Sequence, residues 1–355
     1  MLTHIIQSSD DALFLIDEPD IYLHSDLQRQ LLGLLRNMGP DILIATHSTE
    51  IITEAETDDI VLVNKQRRTA TRIRNPSQLE EVFRLLGSNL NPILTQLAKT
   101  RRAIFVEGKD FQVISKFAQK LRRPKVGNRS EFAVIPVEAF SPERIRSLKL
   151  GMEMTLGGKI LAAAVLDKDY RSKSECNAIK SQCMSFCDAV VIHNRKEMEN
   201  FLLVPSAIDR AAKRRLIDRK ARTNSKEEYE STAEEILDKF AARKRSYVVA
   251  QYISCRRNFE RAKSSKLDES KIAESVIEEV ERVWESLASR LDIVPGKEAL
   301  SAINDQLQKQ YKVSITATAI VDAMRADEIP EEMKRLVESI DSFAMLKIGS
   351  NIGDE

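Results

Sequence analysis

The sequence predicts an α/β protein whose final third is helical. Short apolar runs alternate with helix-period stretches as far as about residue 205, a pattern typical of strands followed by covering helices. Long charged stretches with helical periodicity follow, for example residues 231–253 and 272–291. In open α/β sheets the ligand sites lie at strand ends, so the polar residues that close the apolar runs are the candidates for function.

The first segment, residues 1–98, carries strand and helix signals in alternation. Three short apolar runs predict strands at residues 13–16, 42–46 and 60–64. The stretch 25–39 between the first two runs has the spacing of an amphipathic helix, which Gly39 and Pro40 are expected to end.

The second segment, residues 99–205, repeats this layout with longer apolar runs. These runs predict strands at residues 103–108, 132–137, 160–167 and 189–193. Nearly continuous apolar strands separated by helices favour parallel sheets that are covered on both faces. The remaining residues, 206–355, form the predicted helical region, so we expect three parts in the chain.

Composition excludes several classes of protein. Hydrophobic residues make up 43% of the 355 residues and charged residues 31%, which is ordinary for a soluble protein, and the formal net charge is only +1. A nucleic-acid surface would therefore have to come from local clusters of basic residues. No apolar run reaches the roughly 18 residues of a membrane span, and the N-terminus lacks a signal-peptide layout. We expect a cytoplasmic protein with no membrane partner.

Acidic and histidine side chains follow two neighbouring strands of the first segment. Asp17 and Glu18 come directly after the first apolar run, and His47 closes the second. Asp17 could hold Mg²⁺ there, Glu18 could polarise an attacking water, and a neutral His47 could contact a phosphate. Each feature alone has a plainer explanation, a surface turn for the acids and a buried side chain for the histidine. Their matching positions on consecutive strands favour the functional interpretation.

These motifs resemble the C-terminal half of an ABC-type ATPase head. LFLIDEP resembles the Walker B motif with its catalytic glutamate, IYLHSDLQ stands where that family has its D-loop, and ATHS resembles the switch-histidine loop. The resemblance implies that Asp17, Glu18 and His47 belong to an ATP site, with Asp17 as a magnesium ligand.

The phosphate-binding half of such a site is missing from the sequence. No G-x-x-x-x-G-K-[ST] loop occurs, and the nearest imitation, residues 151–160, has the wrong glycine spacing and precedes a strand instead of following one. Either the chain is part of a longer or split protein, or this lobe is vestigial. We favour a part of a longer or split protein, because Asp17, Glu18 and His47 would have little reason to persist together in an inactive lobe. ATP is expected as a cofactor only when a missing lobe or a partner supplies the loop.

Three carboxylates close strands of the second segment. Glu107 and Gly108 follow one apolar run, and two strands later Asp167 and Asp169 follow another in the order D-x-D. Alternate residues of an extended chain share one side, so both aspartates can reach the same cations, and Glu107 can meet them from a neighbouring strand. A set without cysteine or histidine suits Mg²⁺ or Mn²⁺. A pair of such metal ions is typical of enzymes that hydrolyse phosphodiesters.

This arrangement resembles a Toprim domain, which is named for topoisomerases and primases. The match rests on Glu107 and Gly108 in VEG and on Asp167 and Asp169 in LDKD. The resemblance implies that Glu107 is a metal ligand and a candidate general acid or base. It also implies that Gly108 permits close backbone approach and that the two aspartates bind metal.

A further acidic stretch, RKEMENFL, follows the fourth of these predicted strands. It resembles the R-x-E-x-E-N-[FY]-L segment of the OLD (overcoming lysogenisation defect) nucleases, which join an ABC-type ATPase to a Toprim nuclease. The resemblance implies that Glu197 or Glu199 completes a two-metal site, and which of them faces the metals stays open. Asp110 is a further candidate ligand, one residue earlier than the family usually places it. The plainer explanation of both glutamates is a helix start with surface acids.

The order of parts, an ATPase half, a Toprim domain and a helical region, is the strongest support for the OLD resemblance. It implies a metal-dependent DNA endonuclease or nickase with a role in defence against phage or foreign DNA. The alternative is a non-catalytic assembly or DNA-sensing module. A homo-oligomer, or a partner that supplies the phosphate-binding half, is also expected.

Basic stretches that could neutralise DNA phosphates are residues 121–125, 211–222 and 255–263.

Overall fold

The computed structural model consists of two compact units, residues 1–100 and residues 101–355. The residues whose structure is described are 12–19, 23, 25–36, 40–46, 48–55, 59–64, 68–72, 92–108, 110–137, 141–223, 228–230, 232–263 and 268–346. His47, which is predicted to close the second strand, lies outside these residues.

The first unit contains a two-stranded parallel sheet with a helix on one face. Strand β1 (Leu13–Asp17) runs parallel to β2 (Asp41–Ala45), and helix α1 (Ser25–Arg36) lies between them in the chain. Apolar side chains at alternate strand positions pack against one side of α1, because a strand repeats every two residues and a helix every 3.6. The residues in this contact are Phe14, Ile16, Ile42 and Ile44 of the strands and Leu31 and Leu35 of α1.

Among the described residues, nothing covers the opposite face of this sheet. Leu13, Leu15 and Leu43 are 64%, 72% and 60% exposed, and Asp17 shares their face. Parallel strands are normally buried on both faces. The prediction of a sheet covered on both sides is therefore wrong for the described part of this unit.

The third predicted strand also differs from the expected parallel arrangement. Strand β3 (Val61–Asn64) pairs antiparallel with β4 (Thr69–Arg72). The sequence pattern does not predict β4, because TATR is fully exposed and offers only one apolar residue to signal a strand. Two helices complete the described part of the unit, α2 (Thr49–Glu54) and α3 (Pro92–Thr100).

A four-stranded parallel sheet forms the centre of the second unit. The strand order is β6-β5-β7-β8, with β5 (Arg102–Glu107), β6 (Ala133–Val137), β7 (Leu161–Leu166) and β8 (Ala189–Ile192). Residues 103–106 and 162–166 are buried, which explains why the central strands appear in the sequence as continuous apolar runs. The four predicted strands are confirmed to within one residue at each end.

Helices connect these strands, and one of them contains the glycines that imitate a phosphate-binding loop. The connecting helices are α4 (Asp110–Lys120), α5 (Pro124–Gly127), α6 (Pro142–Leu156) and α7 (Lys173–Cys183). Gly157 ends α6 with a φ of 65°, and the N–H of Gly158 donates to the Glu153 carbonyl at 3.1 Å. This is a helix C-cap that leads into β7, whereas a phosphate-binding loop begins a helix.

The chain after β8 is helical, as the sequence predicts. It contains two 3₁₀ helices (Met198–Leu202 and Ala326–Glu328) and the helices α8 (Pro205–Thr223), α9 (Ala233–Ala262), α10 (Glu269–Val283), α11 (Leu287–Ile293), α12 (Gly296–Tyr311), α13 (Ala317–Ala323) and α14 (Glu331–Ala344). Side chains of these helices share one hydrophobic core with the sheet, so Phe240 and Phe343 belong to the same cluster as Ile104 and Val165. No helix in the described ranges is long and apolar enough to cross a bilayer.

The first 3₁₀ helix joins the sheet to the helical region through a buried amide. The side chain of Asn200, which is 0% exposed, donates from Nδ2 to the carbonyls of Leu291 at 2.7 Å and Val294 at 2.8 Å. Its Oδ1 accepts from the N–H of Glu197 at 2.9 Å. A Cβ at Gly296 would lie 2.9 Å from Asn200 N and Oδ1, so the close approach requires glycine. Both hydrogen bonds from Nδ2 hold α11 and the residue after it, whereas Oδ1 holds the segment's own turn at Glu197.

Asn200→Ala is expected to lower the free energy of unfolding of the second unit by at least about 3 kcal/mol. It leaves two buried carbonyls and one N–H without partners, at roughly 1 kcal/mol or more each. Trp284, the only tryptophan in the sequence, lies at the end of α10 and reports this unfolding by fluorescence during a urea titration.

Asn194→Ala is the matched control for this measurement. Asn194 is exposed, and its amide donates to Glu332 at 2.8 Å, so its loss is expected to cost less than about 1 kcal/mol. Equal destabilisation by the two substitutions would contradict the role given to Asn200.

Candidate functional site

Acidic side chains gather at one edge of the parallel sheet in the second unit. Glu107 ends β5, Asp167 directly follows β7, and Asp169 comes two residues later. Because β5 and β7 are neighbouring parallel strands, their carboxyl ends meet at the same edge. Asp110 begins α4 just past β5 and is 7% exposed. The strand-end positions that the sequence predicts are thus brought to one place in the fold.

The electrostatic environment links these carboxylates to each other. Burial, and then the charges of Asp167 and Asp169, raise the pKa of Glu107. Burial is also the largest cause that raises the pKa of Asp110 to about 9, and Asp167 and Glu199 are the next. Burial likewise raises the pKa of Asp169, and Asp167 adds to that shift. Asp167 is a cause common to all three shifts, so these carboxylates share one region of negative potential.

Glu199 faces this region, whereas Glu197 is used elsewhere. Oε1 of Glu197 accepts from the backbone N–H of Lys297 at 2.6 Å, and Oε2 accepts from the ammonium of Lys196. Oε2 of Glu199 is buried and has no hydrogen-bond partner among the described residues. Burial raises the pKa of Glu199, and Asp167 adds to that shift. Of the two glutamates, Glu199 is therefore the one with an oxygen available to the acidic cluster, which is Glu107, Asp110, Asp167, Asp169 and Glu199.

Two residues of the strand-end loops have left-handed backbone conformations. Gly108 and Asp169 both have a φ of 50°. A Cβ on Gly108 would meet no described atom within 4 Å, so among the described residues the glycine is explained by its backbone conformation, and the close backbone approach that the resemblance implies stays a prediction. The N–H of Asp169 donates to the carbonyl of Lys196 at 2.8 Å, and its carboxylate lies 2.9 Å from Arg171. These contacts hold the D-x-D turn in place.

Two neighbours of the acidic cluster were not predicted from the sequence. Nζ of Lys297 lies 3.7 Å from Oε1 of Glu199, and Nε2 of His193 lies 2.8 Å from Oδ1 of Asp167. Burial alone would lower the pKa of Lys297, but Glu199 and other carboxylates raise it overall. No local motif marks Lys297, because it is 98 positions from Glu199 in the sequence. His193 follows an apolar run as Asp167 does, and that position was the available signal.

The donor chemistry of the acidic cluster fits a hard divalent cation. Its members supply only carboxylate oxygens, which Mg²⁺ and Mn²⁺ prefer, and a cation would relieve their mutual repulsion. The buried Oε2 of Glu199 is an oxygen that such an ion could use. Within the described ranges, no three His, Cys, Asp or Glu side chains are placed as ligands of one ion. The fit therefore rests on donor chemistry and converging charge rather than on coordination geometry.

In the first unit, the predicted strand-end acids are at the end of β1. Asp17 is the last residue of the strand, on the face of the exposed leucines. Glu18 follows with a φ of 43°, and its N–H donates to the carbonyl of Ala45 at 2.8 Å. The left-handed turn at Glu18 thus begins while the pairing with β2 still continues.

Two comparisons with known proteins give partial matches to the chain. Residues 1–53 match the model of a family described as "AAA domain, putative AbiEii toxin, Type IV TA system". The uncharacterized protein MJECL43 of Methanocaldococcus jannaschii is 31% identical over 75 residues, which are 21% of this chain. The chain covers 20% of the length of that relative. The match to residues 1–53 includes Asp17, Glu18 and His47, and the N-terminal part of the chain is accordingly ATPase-like.

Proposed function

We propose that the acidic cluster is the site of a divalent-metal-dependent DNA endonuclease or nickase of the Toprim and OLD-like type. The observation that carries the proposal is the convergence of its five carboxylates at the carboxyl edge of a parallel sheet. Such an edge is where α/β folds bind their ligands, and five carboxylates with only Arg171 and Lys297 as described counter-charges are costly to keep. By the same resemblance, the biological role is defence against phage or foreign DNA.

The chain's own residues hold the charge of this site and fix its shape. Glu107, Asp167 and Asp169 would bind one or two Mg²⁺ or Mn²⁺ ions, together with Asp110 and Glu199. Bound ions supply activation of water and stabilisation of the leaving oxygen in phosphodiester hydrolysis. The buried oxygens are held on a rigid sheet edge, which limits the motion of the groups around the reacting phosphate.

Of the three basic stretches, residues 211–222 leave the most positive charge available to DNA phosphates. In residues 255–263, Arg256 pairs with Glu279 at 2.8 Å and Arg261 with Glu269 at 2.6 Å, so this charge is partly neutralised. In residues 121–125, Arg123 also faces acidic partners. Residues 211–222 expose side chains on α8 that form no ion pair with any described residue, namely Lys213, Arg214 and Arg215. We therefore assign phosphate-backbone contacts to α8.

The ATPase-like part carries a second proposal. We infer that it acts on ATP only together with a polypeptide that brings a glycine-rich phosphate-binding loop. The exposed leucines of β1 and β2 support this inference, because an uncovered apolar face on a parallel sheet is a surface for another element. Asp17 lies on the same face, so an element that covers the leucines would also approach the strand-end acids.

Divalent metal is expected to stabilise the second unit. At about ten times the dissociation constant, Mn²⁺ should add roughly 1.4 kcal/mol to the unfolding free energy, or about 3 °C in melting temperature, because it binds only the folded cluster. Melting of the full chain is followed by Trp284 fluorescence in EDTA and in millimolar Mn²⁺.

Asp167→Asn should remove most of this metal-dependent rise in melting temperature, whereas Asp305→Asn should keep it. Asp305 is exposed on α12 and is the matched control for the loss of one surface charge. The same rise in the parent and in Asp167→Asn would count against a shared metal site.

Glu107→Gln and Asp167→Asn are each expected to reduce Mg²⁺-dependent nicking of supercoiled plasmid at least about 100-fold. Each removes a metal-binding charge whose effect on the transition state is several kcal/mol, and each 1.4 kcal/mol is about tenfold in rate. Glu18→Gln and His47→Ala should nick at the parent rate, because the ATPase-like part supplies no group to the acidic cluster in this proposal. If both cluster variants nick as fast as the parent, the non-catalytic assembly or DNA-sensing function replaces the nuclease.

The purified chain alone is expected to show no saturable ATP hydrolysis. The 355 residues contain no loop to hold the phosphates, so Asp17 and Glu18 have no bound nucleotide to act on. Phosphate release is measured for the parent and for Glu18→Gln. Saturable hydrolysis by the parent that Glu18→Gln abolishes would refute the requirement for a second polypeptide.

A further inference from the structure

A buried histidine contacts the central carboxylate of the acidic cluster. His193 directly follows β8 and is 1% exposed, and Asp167 is 5% exposed. Nε2 of His193 lies 2.8 Å from Oδ1 of Asp167. Because a carboxylate can only accept, Nε2 is the donor in this hydrogen bond. This bond holds Oδ1 of Asp167, and Oδ2 takes no part in it.

The side chain of His193 makes this hydrogen bond and no other with the described residues. Its Nδ1 is buried without a hydrogen-bond partner among them. The ring packs edge-to-face on Phe201 at 5.1 Å between centroids, and Phe201 is itself fully buried. Leaving one ring nitrogen unsatisfied costs roughly 1–3 kcal/mol, a cost that an apolar residue at this position would avoid. A histidine that served packing alone would gain nothing to offset that cost.

The backbone of the same residue ties the two strand ends together. The N–H of His193 donates to the carbonyl of Leu166 at 3.3 Å, at the last residue of β7. The backbone of His193 therefore fixes the chain directly before Asp167, and its ring fixes the carboxylate. Both contacts act on the geometry of a single acidic side chain.

We propose that His193 is a positioning residue that orients Asp167 for metal binding through the Nε2–Oδ1 hydrogen bond. The inference rests on the proposed metal-dependent function of the acidic cluster. Groups that hydrogen-bond to metal-binding side chains typically change metal affinity by 10- to 100-fold when they are removed. His193 would act on metal only through Asp167.

The test measures Mn²⁺ affinity of the full chain without DNA, from the electron paramagnetic resonance signal of free Mn²⁺. His193→Leu and His193→Met remove the donor and are expected to weaken binding about 10- to 100-fold. His193→Gln is expected to stay within about threefold of the parent, because the glutamine amide can place a donor near the position of Nε2. Methionine adapts to irregular cavities, so it provides a folded donor-free variant if leucine does not fold. Trp284 fluorescence melting in EDTA identifies the folded variants.

A double-variant comparison separates positioning from a general effect on the fold. In an Asp167→Asn background, His193→Leu or His193→Met should cause no further loss of Mn²⁺ affinity, because the carboxylate it orients is gone. An additional loss of tenfold or more would overturn the inference. So would parent-like affinity in the folded donor-free variants, or a loss in His193→Gln as large as theirs. If the parent itself binds no Mn²⁺, the proposed metal-dependent function fails first, and the inference fails with it.

Discussion

The buried amide of Asn200 is the contact on which the second unit depends. Two of its hydrogen bonds connect the chain after β8 to α11 and to Val294 just past it, the third closes on Glu197, and Gly296 at the start of α12 packs against the same residue. The sheet and the helices are therefore one folding unit with one hydrophobic core rather than two stacked parts. The same contact also positions part of the site. Glu199 directly precedes Asn200, and Lys297 directly follows Gly296, which packs against Asn200. A change that loosens Asn200 would thus move the charges of the site as well as lower stability.

The acidic cluster works against the stability of the unit that contains it. Partly buried carboxylates whose pKa is raised by burial and by neighbouring acids are favourable only with a compensating positive charge. Arg171 and Lys297 supply part of that charge, at 2.9 Å from Asp169 and 3.7 Å from Glu199. In the proposed function, a bound divalent cation supplies the rest of the compensation. Residues selected for packing alone would not leave such a charge imbalance at a rigid sheet edge.

The success of the sequence predictions follows how deeply each element is buried. The strands of the second unit were predicted closely because burial on both faces makes them continuous apolar runs. Strand β4 was missed because an exposed strand has no hydrophobic signal. Glu197 and Glu199 could not be distinguished locally, since the difference is set by the backbone of α12, about 100 positions away. Lys297 joins the site only through a tertiary contact that no short motif encodes, whereas the strand-end position of His193 was a signal that the sequence offered.

The two units differ in how completely each buries its own sheet. They therefore differ in whether their candidate sites depend on another polypeptide. In the second unit, helices of the same unit share one hydrophobic core with the central strands, and the contacts of Asp167, Asp169 and Glu199 described above lie within residues 101–355. In the first unit, one sheet face packs on α1 while the other exposes Leu13, Leu15 and Leu43. An exposed apolar face costs about 25 cal/mol for each Å² that another element could cover. In the proposed function, one covering polypeptide would both stabilise the ATPase-like part and complete its nucleotide site, whereas the acidic cluster would need only ions and substrate.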